Sequence, residues 1–217
     1  MSVLELDTPH GAARAHVHAA EDPAAALVLG HGAGGGVEAP DLVAVTRVAL
    51  SVGVSVALVE QPYRVAGRRS PAPAHQLDAA WTAVVRQLLA GELRGLPLVA
   101  GGRSAGARVA CRTAAATAAT AVLCLAFPLR SPRRSAGAPA QSRLPELDEL
   151  AVPTLVVQGA RDPFGTPPAA PGRTVVEVPG NHSLRADPDA VADAVGAWLR
   201  AVVGLPSASV PAHGHEA

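Results

Sequence analysis

The sequence predicts an α/β fold in three layers, with a mostly parallel central sheet covered by helices on both faces. Two observations carry this expectation. Strand-length apolar runs alternate with longer segments whose apolar residues recur at helical spacing, from about residue 24 to residue 203. The runs are continuously apolar rather than alternating, as strands covered on both faces require. In such sheets ligands bind outside the carboxyl ends of the strands. There is no internal repeat and no sign of a second domain. Residues 1–204 therefore read as one domain and 205–217 as a disordered tail.

The elements follow in order along the chain. Residues 12–19 alternate weakly and read as an edge strand. Ala24 to Leu29 is a buried strand that stops at Gly30-His31-Gly32. Asp41 is placed to cap a helix through about Val52, with Leu42, Val45, Val48 and Ala49 on one face and Gly53 as the stop. Val54 to Val59 is a second buried strand, and a loop rich in Pro, Arg and Gly follows from Glu60 to Pro73. A helix from about His75 to Ala90 turns Leu77, Trp81, Val84, Val85 and Leu88 inward and ends at Gly91. Leu96 to Ala100 is a strand, and a helix opens at Ala107. Ala121 to Phe127 is the next strand, and a polar, Arg- and Pro-rich stretch runs from Pro128 to Arg143. A short helix near Pro145 to Leu150 precedes strands at Pro153 to Val157 and Thr174 to Val178. The last helix has Asp187 as N-cap and Pro188 at its first position. It turns Val191, Val195, Trp198 and Leu199 inward and stops at Gly204.

Composition narrows the function. Of 217 residues, 49% are hydrophobic and 17% charged, the balance of a globular chain. Formal net charge is +0, which argues against nucleic acid as a partner. The chain has no lysine, which excludes a Schiff-base lysine or a Ser–Lys dyad. Cys111 and Cys124 lack metal-ligand spacing and fall in predicted buried elements, so they read as reduced core thiols. His213 and His215 fall in the expected disordered tail, no other ligand cluster supports a metal site, and neither metal nor cofactor is expected. The first residues show no signal peptide, and no apolar run approaches the roughly 20 residues of a membrane span. The expectation is a cytoplasmic protein without membrane contact.

The chemistry is concentrated at predicted strand ends. Gly102-Arg103-Ser104-Ala105-Gly106 lies between a strand and a helix, and a serine with glycines two positions away on both sides is the pattern of a nucleophile elbow. The turn pushes the hydroxyl out of the sheet edge, and side chains at both glycine positions would collide there. Asp162 follows the strand ending at Val157, and His182 follows the strand ending at Val178. All three residues would meet at one edge. His182 is then placed to take the proton of Ser104 as general base, and Asp162 to fix its tautomer. Gly30-His31-Gly32-Ala33-Gly34-Gly35-Gly36 leaves the first core strand with little side chain to block its amides. The Ala105 and Ala33 N–H groups are the expected oxyanion donors, with Gly34 as the alternative to Ala33. The same loop lacks the spacing of a phosphate-binding glycine loop. His31 reads as a turn residue packed under the site.

These segments resemble the α/β-hydrolase superfamily. His31-Gly32-Ala33-Gly34-Gly35, Gly102-Arg103-Ser104-Ala105-Gly106, Val157-Gln158-Gly159 with Asp162-Pro163-Phe164-Gly165, and Asn181-His182-Ser183-Leu184 carry the resemblance, which spans about residues 12–203. The chain order Ser104, Asp162, His182 is that of the superfamily's triad. The motifs are similar to a small cap-less branch that includes testis-expressed protein 30 and the hydrolase-like domain of non-specific lethal complex subunit 3, and more distantly to dienelactone-hydrolase-like proteins. The resemblance implies the hydrolase fold and the triad.

Two arginine-rich loops leave strand ends at the same edge. One holds Arg64, Arg68 and Arg69 beside Tyr63; the other holds Arg130, Arg133, Arg134 and Arg143. They read either as forks for an anionic group on the substrate, with Tyr63 lining the same pocket, or as a solvated rim paired with Glu60, Glu146 and Asp148. Only residues 128–152 separate Phe127 from Pro153, which leaves little material for a cap and predicts a shallow, open site. The reading is a serine hydrolase that cleaves an ester, thioester or similar acyl bond of a small molecule through an acyl-enzyme on Ser104. The alternatives are a non-catalytic interaction module on the same fold, and, less favoured, an acyltransferase.

Overall fold

The apolar runs of the sequence become the centre of an eight-stranded sheet in the computed structural model, which describes residues 1–131 and 140–204. The strands are β1 (Ser2–Leu6), β2 (Ala13–His18), β3 (Ala25–Gly30), β4 (Val54–Glu60), β5 (Leu98–Arg103), β6 (Ala121–Leu125), β7 (Thr154–Gly159) and β8 (Arg173–Val178). Their spatial order is β1-β2-β4-β3-β5-β6-β7-β8. Strand β2 runs antiparallel to β1 and β4, and every other pair is parallel. The fold class read from the sequence holds.

Each strand of the centre is buried along its length because helices cover both faces. The main helices are α1 (Pro40–Ser51), α3 (Ala74–Ala90), α4 (Ala105–Thr113) and α6 (Pro188–Val202), with short helices α2 (Pro62–Val65) and α5 (Leu144–Asp148). Side chains alternate across the sheet. Leu27 and Leu29 pack with Leu42 and Val45 of α1 and Val191, Val195 and Leu199 of α6. Ala26 and Val28 pack on the other face with Trp81, Val84 and Leu88 of α3 and Ala107 and Ala110 of α4. Helix α6 starts as expected: the Asp187 carboxylate accepts the Ala190 N–H at 2.9 Å, and Pro188 occupies the first turn. Cys111 and Cys124 are free, buried thiols 3.5 Å apart.

Four expectations change. The sheet edge is β1, so residues 13–18 form an interior strand whose alternate residues Ala13, Ala15 and Val17 are buried. Asp41 does not cap α1; Ala39 holds the N-cap position, Pro40 supplies the fixed φ of the first turn, and the Asp41 side chain is buried. Pro62 opens a helical turn within the loop after β4. Strand β6 ends at Leu125, and Phe127 is buried beyond it. Arg133, Arg134, His213, His215 and the tail 205–217 lie outside the described residues. Among the described residues no helix is long and apolar enough to cross a membrane.

Candidate active site

Ser104 sits between β5 and α4 with φ 53° and ψ −106°, a conformation that L-residues occupy only under tertiary constraint. The constraint is visible. The Ser104 N–H donates to Leu125 O of β6 at 2.9 Å, and the backbone turns at once into α4. Gly106 lies directly against the end of β3, so that a Cβ there would press on the Gly30 carbonyl. The glycine lets the helix cross the strand end closely enough to lift the serine clear of the sheet.

His182 and Asp162 arrive from the next two strands. A Cβ on Gly159, the last residue of β7, would strike the Asn181 carbonyl, so the absence of one lets the loop after β8 fold over the end of β7. His182 Nε2 is 2.9 Å from Ser104 Oγ, and its Nδ1 is 2.8 Å from Asp162 Oδ2. The Asp162 side chain is fully buried. It accepts the Phe164 N–H at 2.9 Å on Oδ1 and the Gln158 side-chain amide at 2.8 Å on Oδ2. With both oxygens serving as acceptors, Nδ1 of His182 is the donor and Nε2 faces the serine as acceptor. The edge of one ring meets the face of the other between Phe164 and His182, centroids 4.6 Å apart.

Two further side chains, Gln158 and Arg103, brace the site through partners that the sequence does not name. Gln158, wholly buried, also reaches Phe127 O at 3.1 Å and Gly165 O at 3.0 Å, and so ties the aspartate loop to the end of β6. The signal was one polar residue at the end of an apolar strand. Arg103, inside the elbow, donates from Nη2 to the His182 carbonyl at 3.1 Å and lies with Nε 2.9 Å from Asp41 Oδ2. The contact between Arg103 and Asp41 is a charge contact rather than an aligned hydrogen bond. Burial pushes the Asp41 carboxyl above the usual carboxylate range, and the Arg103 charge opposes that rise.

The glycine loop after β3 forms the facing wall. His31 is buried beneath it, with Nδ1 2.8 Å from Gly32 O and Nε2 accepting the Gln61 N–H at 3.1 Å. Burial lowers its pKa, which keeps the ring neutral and able to accept that bond. Among the described residues the amides of Ala33 and Gly34 have no backbone or side-chain acceptor, while Gly35 N–H closes a turn onto Gly32 O at 3.1 Å. Tyr63 donates its hydroxyl to Ala33 O at 2.9 Å. Its pKa is pushed up to about 12 by burial, so it remains a donor through neutral pH.

A cleft of about 640 Å³ opens over Ser104, His182, Ala33, Gly34 and Ala105. Of the described arginines in the two arginine-rich loops, Arg143 lines it and Arg130 does not. Arg64, Arg68, Arg69 and Tyr63 do not line it. Pro62 and Tyr63 are buried in the turn of α2, which carries the following arginines away from Ser104. Tyr63 and Arg68 border a separate pocket of about 240 Å³, and Arg64 borders a third beside His16 and Glu60. Arg108 and Arg112 of α4 and Arg185, which the sequence did not single out, line the cleft beside Arg143. The acids also take partners other than those expected: Glu146 pairs with Arg108 and Arg112, Glu60 with Arg14 and His16, and Asp148 with Arg173. Among the described residues no group of His, Cys, Asp and Glu is placed to hold a metal.

A family model described as an alpha/beta hydrolase domain matches residues 23–186. The sequence matches no curated protein. An a/b serine hydrolase without a lid from Xanthomonas campestris is 21% identical, with a TM-score of 0.74 over 96% of this chain and 96% of its own. Est1E from Butyrivibrio proteoclasticus is 14% identical, with a TM-score of 0.74 over 94% of this chain and 100% of its own. An alpha-beta serine hydrolase homologue from Coxiella burnetii is 13% identical, with a TM-score of 0.71 over 91% of this chain and 97% of its own. These structures share the fold, and the Xanthomonas protein is described as having no lid. With the matched region running from the entry to β3 through the His182 loop, this protein belongs to the alpha/beta hydrolase family.

Proposed function

We propose that the protein is a serine hydrolase that cleaves an ester, thioester or similar activated acyl bond of a small molecule. The observation that carries the reading is the unbroken hydrogen-bond chain from Ser104 Oγ through His182 to the buried Asp162 carboxylate. In this mechanism Ser104 Oγ attacks the acyl carbon while His182 Nε2 takes its proton. The tetrahedral oxyanion is held by the Ala105 N–H at the start of α4 and by the Ala33 N–H, with Gly34 as the alternative. His182 returns the proton to the leaving alcohol or thiol, and the acyl group stays on Ser104. Water then attacks with His182 again as base, and Ser104 is released. Asp162 holds the imidazole in the Nδ1–H tautomer and stabilises its charged form.

Tyr63 acts as a positioning residue on this reading, since its hydroxyl holds the Ala33 carbonyl and hence the following peptide of the oxyanion loop. The open cleft favours short or polar acyl groups over long lipids. The four motifs quoted above lead us to assign the chain to the small cap-less branch that includes testis-expressed protein 30. The same fold without turnover, as an interaction module, is the competing reading. Retention of all three relay residues in hydrogen-bonding geometry favours the enzyme. The test is turnover of short-chain para-nitrophenyl esters and acyl thioesters. Wild type is expected to hydrolyse at least one class, and Ser104→Ala to lose about 10⁴-fold or more of that rate. A Ser104→Ala variant as fast as wild type would remove the serine from the mechanism.

A further inference from the structure

The cleft beside Ser104 carries more positive charge than its ion pairs consume. On the wall formed by α4 and α5, Arg108 forks onto Glu146 with contacts of 2.9 and 2.5 Å, and Arg112 forks onto Asp78 at 2.8 and 2.6 Å. Arg112 also reaches Glu146 at 3.4 Å. Both carboxylates are thereby engaged. Arg143 stands on the same wall, half-buried, and among the described residues its guanidinium has one protein partner, the Pro128 carbonyl at 3.1 Å through Nη1. It makes no ion pair among the described residues, outside which Glu216 is the one acidic side chain. Arg185, on the loop after His182, also lines the cleft and has no carboxylate partner among the described residues.

We infer that Arg143, with Arg185 as a second and more exposed contact, forms an anion subsite of the cleft, and that the substrate is an ester or thioester bearing a carboxylate. The inference rests on the hydrolase reading and names its substrate class. A planar guanidinium with free N–H groups matches a carboxylate in geometry and charge. Arg143 is under electrostatic pressure that such a group would relieve: burial first, and then the neighbouring Arg108 and Arg112, lower its pKa, with Glu146 opposing them in part. The pairing of Arg108 and Arg112 with fixed acids holds those side chains against the wall and reserves Arg143 for the ligand. Of the two arginine-rich loops the sequence offers for anion capture, the geometry favours the second, at Arg143, over the loop of Arg64, Arg68 and Arg69.

The test compares matched substrates that differ in one charge. Mono-para-nitrophenyl adipate against para-nitrophenyl hexanoate places the carboxylate on the acyl side. Para-acetoxybenzoate against its methyl ester places it on the alcohol side. In at least one pair, Arg143→Met is expected to lower the acidic-to-neutral ratio of kcat/KM by about 10- to 100-fold. Arg143→Gln, which keeps a donor for Pro128 O, is expected to show the same direction. An unchanged ratio in both pairs overturns the subsite while leaving the Ser104 chemistry standing. Adipate should inhibit the hydrolysis of neutral esters more strongly than inorganic phosphate; the reverse order would overturn the carboxylate in favour of a phosphate group. Should wild type turn over none of these esters and resist active-serine labelling, the hydrolase reading fails separately. Calorimetry with adipate then decides the subsite: binding that is lost in Arg143→Met supports it, and absent or unaltered binding overturns it.

Discussion

Asp162→Asn is expected to lower kcat by about 10³- to 10⁴-fold, or ~4–5.5 kcal/mol of transition-state stabilisation, with the fold retained. The wild-type carboxylate is surrounded by donors: the Phe164 N–H, the Gln158 amide and His182 Nδ1. An asparagine oxygen can keep the Phe164 contact only by turning its amide nitrogen toward Gln158 and His182. A donor then faces donors. The imidazole answers by moving its proton to Nε2, where it faces Ser104 Oγ as a donor and cannot take the serine proton. The displaced Gln158 amide loses a partner in a buried setting, which costs about 1–3 kcal/mol of stability. Steady-state hydrolysis alongside thermal unfolding separates the two effects. A loss of less than about tenfold in kcat would show that Asp162 does not orient the base.

Gly106→Ala is expected to destabilise the protein by about 3 kcal/mol or more and to abolish activity in whatever folds. The added Cβ would overlap the Gly30 carbonyl and come within 2.9 Å of His31 O, and both are backbone atoms of the sheet edge and the oxyanion loop. No flexible side chain is available to yield. Either α4 moves off β3 or the loop shifts, and both displace Ser104 from the Ala33 and Gly34 amides proposed as oxyanion donors. Gly36→Ala is the control, since a Cβ there meets nothing within 4 Å. Chemical denaturation of the two variants should differ by the same ~3 kcal/mol. Equal stability would mean that the elbow tolerates a looser crossing than the structure describes.

How much of this was legible in the sequence follows from whether the signal is local. The central strands were readable because a run such as Ala24 to Leu29 is apolar on both faces, and α6 because Asp187-Pro188 supplies its own cap. Strand β1 escaped because it is a short edge with mostly exposed or half-exposed residues and no punctuation of its own. Asp41 was misread for an instructive reason. An acidic residue ahead of an apolar helix looks like a cap, yet its carboxylate is buried against Arg103, a partner set by tertiary packing. Ser104, Asp162 and His182 were legible since each follows its strand directly, and chain order alone predicts that strand ends share an edge. The arginines were legible only in part: Arg143 borders the cleft, and Arg64, Arg68 and Arg69 do not. Whether a loop leaving that edge turns over the cleft or away from it depends on features such as the helical turn at Pro62, which redirects Arg64, Arg68 and Arg69. Gln158 and Phe164 stood in the quoted motifs, but their contacts with Asp162 and His182 appear only when the loops are folded.

The central claim is that Ser104 is a nucleophile activated by His182. Reaction of the intact protein with a fluorophosphonate probe, followed by mass spectrometry of the adduct, tests it directly. The account predicts one adduct, on Ser104, absent in Ser104→Ala and formed more slowly by about 10³-fold or more in His182→Ala. Folded wild-type protein that acquires no adduct, or that labels as fast without His182 as with it, would contradict the account.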